Sequence, residues 1–318
     1  MTDPTTRKPR NRVDTHHHVV PPDYAAWLRR QGIAAGGLPI PDWSPETALA
    51  LMDERGVGTA ILSVSTPGVH LGDDAEARAM ARDVNEYAAA MVGSYPARFG
   101  FFATLCLPDV SGSLIELEHA LDALGADGVV LLANSRGVYL GDASFDPLFE
   151  ELNRRKAVVF VHPSFVPGLD PLPGVPTFIA DFLLDTTRAA ILLVRSGTLD
   201  RYPDLKIILA HAGGIVPFAA YRMSAAAAPS GNPFDGIARL KRFYFDTALS
   251  GSPTALPSLL AFAEPDHVVF GSDFPHAPAL VVGAFTGMYE RFAMSESQRR
   301  SIDHGAARQL FPRLQENE

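Results

Sequence analysis

The stretch AVVFVHP, residues 157–163, is an unbroken apolar run that stops at a histidine followed by a proline. A strand with one wet face alternates apolar and polar residues, whereas a strand covered on both faces reads as a continuous apolar run. The run therefore predicts an inner strand of a parallel sheet, with His162 at its carboxyl end. Seven further runs read similarly: RVDTHH from Arg12, GTAILSV from Gly58, FGFFATL from Phe99, DGVVLLA from Asp127, KIILAH from Lys206, FYFDTAL from Phe243 and HVVFGSDFP from His267. Helical patterns separate them, over 45–55, 75–92, 114–124, 147–155, 177–199, 215–224, 253–263 and 296–310. Strands followed in turn by helices predict an α/β fold, a (β/α)8 TIM barrel with an inserted segment after the first strand, forming one barrel domain over residues 1–318. An open doubly wound sheet would carry a glycine-rich phosphate turn after its first strand, and no such turn follows Val13. The Ala/Pro/Gly-rich patch at 225–236 reads as a surface loop.

Composition narrows the function. The 318 residues are 47% hydrophobic and 20% charged, the balance of a soluble globular enzyme, and no apolar run reaches membrane-spanning length. Residues 2–12 are polar and basic with no apolar stretch behind them, so no secretory signal is expected and the expected location is cytoplasmic. A net charge of −9 argues against nucleic acid or an anionic membrane as the main partner. The single cysteine, Cys106, excludes an intrachain disulfide framework and a thiolate zinc site, so any metal must be held by nitrogen and oxygen. Between Leu105 and Leu107 it reads as a small buried apolar residue.

The stretch VDTHHHVVPP, residues 13–22, sits in a strand context unlike a purification tag. Side chains alternate along a strand, so His16 and His18 share a face and His17 points the other way. A pair of imidazoles is not yet a site, because a metal needs three or four converging ligands. The barrel provides the convergence: His16 and His18 close the first strand, His162 the fifth, His211 the sixth and Asp273 the eighth, all on the rim where such barrels build active sites. Each residue alone reads as a hydrogen-bonded strand-end group; together they point to a metal or acid/base site. His17 is expected to be structural, His70, His119 and His304 to be surface or local-packing residues, and Asp246 to hydrogen-bond within the barrel. His276, three residues after Asp273, overhangs the same rim.

The set VDTHHHVVPP, FVHP, LAHAGG and GSDFP, in that order, resembles the metal-dependent decarboxylase branch of the amidohydrolase superfamily, typified by aminocarboxymuconate semialdehyde decarboxylase. The similarity extends through DWSPE at Asp42, RFGFFATLCLP at Arg98, RYPDLKIILAHAGG at Arg201 and PFAAYR at Pro217, nearly the full chain. Within the branch, DTHHHVVPPDY, WSPETAL, SVSTPG and GVYLGD look most like 6-methylsalicylate decarboxylases. The resemblance implies that His16, His18, His162 and Asp273 bind one divalent metal and that His211 acts as an acid/base beside it. Several related aromatic decarboxylases have glutamate in place of the first histidine of the pair; His16 here favours Zn2+, with Mn2+ as the alternative. One departure matters. The muconate semialdehyde enzyme grips a substrate carboxylate with an arginine just before its WDPE stretch, whereas Pro39-Ile40-Pro41-Asp42 here holds no cation. Its second substrate arginine, from the neighbouring subunit, is matched by Arg222. One retained cation suits a substrate with one carboxylate and implies a homodimer with Arg222 near the partner's active site.

For a salicylate-type acid, carboxylate and phenolate chelating the metal would fix the ring. Protonation of the carbon bearing the carboxylate, with Asp273 as donor and His211 as relay or phenolate partner, gives the electrons a destination as carbon dioxide leaves. Trp43, Phe165, Phe274 and His276 are the expected pocket residues. Two other readings stay open: a mononuclear metal-dependent hydrolase of a lactone, ester or amide, and a non-catalytic metal-binding barrel. The fourth strand ends at Ala133-Asn134 rather than at a lysine that could be carboxylated to bridge two metals, which weighs against a two-metal hydrolase.

Overall fold

In the computed structural model, which describes residues 11–225 and 232–314, eight parallel strands follow one another around a barrel in sequence order. They are β1 (Arg12–His18), β2 (Val57–Ser63), β3 (Phe99–Thr104), β4 (Gly128–Leu132), β5 (Val158–His162), β6 (Lys206–Leu209), β7 (Tyr244–Asp246) and β8 (Val268–Val269). The ring is closed between β8 and β1 by main-chain bonds: Thr15 N–H to Phe270 O at 2.9 Å, Asp273 N–H to His16 O at 2.8 Å and His18 N–H to Phe274 O at 2.7 Å. The buried Asp14 carboxylate reinforces this seam by accepting the Ser272 N–H at 3.0 Å.

The unbroken apolar runs are explained by the two cores they serve. Val13, Ile61, Phe102, Val130, Phe160, Ile208 and Val269 pack inside the barrel, together with Ala306, Leu310 and Phe311 from the C-terminal segment. Phe101, Val129, Leu131, Val159, Val161 and Leu209 point outward from the same strands and join the helix-facing core. Phe102 and Phe160 stack with centroids 5.5 Å apart, and the Phe160 ring lies 4.8 Å from that of His16. An apolar floor thus supports the polar rim.

The helix Pro45–Arg55 spans the residues expected from the sequence, opened by a Ser44–Thr47 capping box and ended by Gly56 at φ 70°, a left-handed position that glycine occupies without strain. The stretch 114–124 begins earlier, at Val110, because Asp109 caps it, and it passes into a π-helical turn over His119–Ala123. The expected 177–199 helix is interrupted. Thr177–Ile179 is a 3-10 turn, Asp181–Arg195 is the helix proper, and Gly197 at φ 76° separates it from Thr198–Arg201.

Three helices escaped the sequence reading. Pro22–Arg30 starts in a proline pair that resembles a loop, although proline at the first helical position is favoured. Ala279–Arg291 contains a long apolar run without clear amphipathic spacing. Pro233–Leu240, capped by Asn232, corrects the expected loop over 225–236; residues 226–231 lie outside the described residues. After β4, Asn134–Ser135 and Val138–Tyr139 form a small antiparallel hairpin. Between β1 and β2 the chain runs through Pro22–Arg30 and a bridged turn at Ala35 and Leu38, which brings residues 35–41 over the barrel mouth. Among the described residues no helix is long and apolar enough to cross a membrane.

The β8–β1 approach depends on a missing side chain: a Cβ on Gly271 would lie 2.8 Å from the Cβ of His16 and 3.2 Å from that of Ala248. Gly271→Ala is expected to cost about 1–3 kcal/mol through overpacking, read as a lowered midpoint in guanidinium unfolding.

Candidate active site

The ends of three strands bring four distant residues together. His16 and His18 end β1, His162 ends β5, and Asp273 follows β8; each offers one ligand atom, and these atoms all lie within 4.8 Å of one another. His16 Nε2 is 3.0 Å from His18 Nε2, and Asp273 Oδ1 is 3.3 Å from His16 Nε2 and 3.1 Å from His18 Nε2. The opposite edge of every ring is held from outside. Nδ1 of His16 meets Asp246 Oδ2 at 2.6 Å, Nδ1 of His18 meets the Ser63 carbonyl at 3.2 Å, and Nδ1 of His162 meets the Pro163 carbonyl at 2.7 Å. A carbonyl can only accept, so the Nδ1 atoms of His18 and His162 carry the proton and their Nε2 lone pairs face the cluster. This donor set, three imidazole nitrogens and one carboxylate oxygen aimed at one point, fits a divalent metal.

Buried charge is balanced within the cluster. Burial lowers the His16 pKa, but the Asp246 and Asp273 carboxylates outweigh it and push it up to about 10. His18 is pushed down to about 4 by burial, reinforced by the His16 charge against the pull of Asp273. Burial would raise Asp273; the His16 charge and the His16, His18 and His211 rings beside it prevail and hold its carboxyl well below the usual range.

His211 sits where β6 turns away, with His211 and Ala212 both left-handed at φ 53° and 56°. Such angles are costly for residues other than glycine and must be held by surroundings. The His211 N–H donates to Asp246 Oδ1 at 2.9 Å, and its Nε2 lies 3.3 Å from Asp273 Oδ2. Asp273 is itself left-handed at φ 65°.

A cavity of about 730 Å3 opens above the cluster, and His162, His211, Asp273 and His276 form part of its wall. Its remaining surface is largely apolar, including Leu38, Phe178, Phe182, Leu249 and Phe285, and no Lys or Arg lines it among the described residues. The His276 ring is 5.1 Å from that of His18, and burial, with the His18 charge next, lowers its pKa to about 3; it is neutral. His17 is turned away, its Nδ1 3.0 Å from Asp14 Oδ2.

Three of the expected pocket residues do not line this cavity. Trp43 is partly buried against the helix-facing core, packs against Tyr87 with ring centroids 6.2 Å apart and lines neither large cavity. Phe274 is buried against His17 at 5.3 Å, because the left-handed turn at Asp273 sends consecutive side chains to opposite sides. Phe165 lines a neighbouring cavity of about 620 Å3, which meets the first at Gly36, Thr66 and Phe182. Arg222 is exposed on the helix Val216–Ser224 and reaches neither cavity of its own chain.

Sequence reasoning missed the aromatic wall given by Phe178, Phe182 and Phe285, since nothing in a helix pattern marks which apolar residue faces a mouth. It also missed the Asp185–Asn134 pair. Asn134 Nδ2 donates to Asp185 Oδ1 at 3.0 Å and to the Phe165 carbonyl at 2.7 Å, while Asp185 Oδ2 accepts the Ser164 N–H at 2.8 Å. This pair fixes the turn after His162. Its only sequence signal is a polar residue inside an apolar helix.

These features define a TIM-barrel protein with one mononuclear nitrogen–oxygen donor set at its C-terminal rim. The amidohydrolase family model matches residues 13–313, and the chain belongs to that family. It is 40% identical over 314 residues to the 6-methylsalicylic acid decarboxylase of Penicillium expansum, covering 95% of this chain and 97% of the relative. The decarboxylase yanB of Aspergillus niger is 39% identical over 325 residues, covering 96% and 88%. Among solved structures, the dihydroxybenzoic acid decarboxylase of Polaromonas sp. JS666, with bound manganese and 2-nitroresorcinol, superposes with a TM-score of 0.80 at 25% identity, covering 95% of this chain and 97% of that one.

Because Trp43 lies outside the cavity, Trp43→Ala is expected to leave KM within about twofold while lowering stability by less than the roughly 3–5 kcal/mol of a fully buried aromatic deletion. Steady-state kinetics and thermal unfolding on one preparation check both halves.

Proposed function

We propose that this protein is a metal-dependent, non-oxidative decarboxylase of a salicylate-type aromatic acid, with 6-methylsalicylate as the substrate and m-cresol and carbon dioxide as the products. The observation that carries this reading is the inward-facing cluster of His16, His18, His162 and Asp273 at the base of an apolar cavity that no Lys or Arg lines among the described residues. The relatives at about 40% identity named for this reaction support it.

The four clustered side chains would hold one divalent cation. Three imidazoles to one carboxylate favour zinc, and manganese, present in the Polaromonas enzyme, is the alternative. When bound, the metal supplies Lewis-acid stabilisation of negative charge on substrate oxygens. The chain's residues do the rest. Apolar walls face the methyl group and ring, and they exclude water from the reacting carbon. The neutral His276 beside His18 offers a hydrogen bond to the bound acid.

Asp273 rests ionised, so the proton it gives must be supplied to it, and His211 Nε2 is the neighbour at 3.3 Å. The proton passes from His211 through Asp273 to the ring carbon bearing the carboxylate. That carbon gains a C–H bond, the bond to the carboxylate carbon breaks, its electron pair restores the aromatic ring, and carbon dioxide leaves.

A single substrate carboxylate accounts for the missing cation before Trp43. The remaining one comes from a second copy: the helix Val216–Ser224 presents Phe218 at 83% and Tyr221 at 75% exposure next to Arg222, an apolar face suited to a homodimer in which Arg222 reaches the partner's cavity.

Metal-loaded protein incubated with 6-methylsalicylate is expected to release carbon dioxide and m-cresol; inertness there combined with turnover of a lactone, ester or amide panel would move the assignment to a hydrolase. His162→Ala should lose both metal and activity, whereas His211→Ala should keep its metal and lose about 10²–10⁴ in rate, as metal analysis and kinetics on the same samples will tell. Arg222→Ala should raise KM about tenfold or more through loss of a charged hydrogen bond, and an unaltered KM would remove Arg222 from substrate binding.

A further inference from the structure

We infer that Asp246 is a positioning residue that sets the tautomer of His16 and thereby makes it a metal ligand; the inference rests on the metal reading above. Asp246 ends β7 and its side chain is fully buried, as is that of His16. The carboxylate is not free to choose its orientation. Oδ1 accepts two main-chain N–H groups, from His211 at 2.9 Å and from Ala248 at 3.0 Å, which leaves Oδ2 directed at His16 Nδ1, 2.6 Å away. A carboxylate only accepts, so Nδ1 carries a proton, and Nε2 is the nitrogen turned to His18, His162 and Asp273, available to a metal once it releases its own proton.

His18 and His162 receive the same instruction from main-chain carbonyls, those of Ser63 and Pro163. The Ser63 hydroxyl also lies 3.0 Å from His18 Nδ1, but His16 alone of the three takes its instruction from a carboxylate, so its tautomer is the one that a carboxylate-to-amide substitution reverses. The same carboxylate anchors the left-handed turn at His211. One group on β7 therefore fixes a metal ligand on β1 and the proton-handling histidine after β6.

Asp246→Asn separates the two duties. The amide oxygen can keep the His211 and Ala248 N–H groups, and this leaves the NH2 facing His16 Nδ1. That arrangement turns Nδ1 into an acceptor, moves the proton to Nε2 and blocks ligation. The test is a chelator-competition titration of zinc and of manganese into metal-free wild type and Asp246→Asn, with circular dichroism of both. Wild type is expected to bind one equivalent and Asp246→Asn to bind about 10–100-fold more weakly with the fold retained. Equal affinity in the two proteins overturns the role of Asp246, whereas a wild type that binds no metal overturns the metal reading itself. Should the variant not fold, long-range proton–nitrogen spectra of histidine-labelled, zinc-loaded wild type decide the matter. Three zinc-bound rings protonated at Nδ1 are expected, and only two would refute the inference.

Discussion

The site depends on the seam between the last strand and the first. Without the main-chain bonds from Thr15, His18 and Asp273 across to Phe270, Phe274 and His16, Asp273 would be 255 or more residues from His18 and His16 with nothing to bring it near them. Closing the ring makes the two ends of the chain neighbours and puts a carboxylate within 3.3 Å of two imidazoles. Gly271 permits the close approach, and Asp14 ties β1 to the turn that carries Asp273. The chemistry is thus a consequence of closure, and the loops above the rim shape only what enters.

Electrostatic balance explains why such a polar group survives under an apolar cavity. Buried charge is tolerated only when paired and hydrogen-bonded. Here each imidazole is held on its outer edge, and Asp273 lies within 3.3 Å of ring nitrogens of three histidines. The outer partners also cost the rings their freedom, so the donor set is formed before any ligand arrives. Preformed geometry of this kind is what a catalytic centre requires, because rearrangement during the reaction would add to the barrier.

The strands and the four clustered residues were legible because two simple signals coincide. Apolar runs buried on both faces mark parallel strands, and a polar residue at the carboxyl end of such a run has few structural reasons to be there. Alternation along β1 correctly separated His17 from its neighbours, although a bulge between Asp14 and His17 alters the register. The pocket wall was not legible. Trp43 and Phe274 lie close in sequence to cavity residues but point elsewhere: Trp43 packs against Tyr87, and Phe274 follows a left-handed residue. Phe178 and Phe182 reach the cavity only because the 177–199 segment breaks into a 3-10 turn and a helix, a break that periodicity does not announce. Asp246 was read as a structural group, and its two-sided anchoring is visible only once β6, β7 and β1 are adjacent.

The most direct measurement of the central claim is an anomalous-difference map from crystals of the metal-loaded protein soaked with 6-methylsalicylate. One peak is predicted per chain, about 2.0–2.2 Å from Nε2 of His16, His18 and His162 and from a carboxylate oxygen of Asp273, with the aromatic acid seated beside it in the apolar cavity. A map with no peak among those four residues at saturating metal would contradict the account.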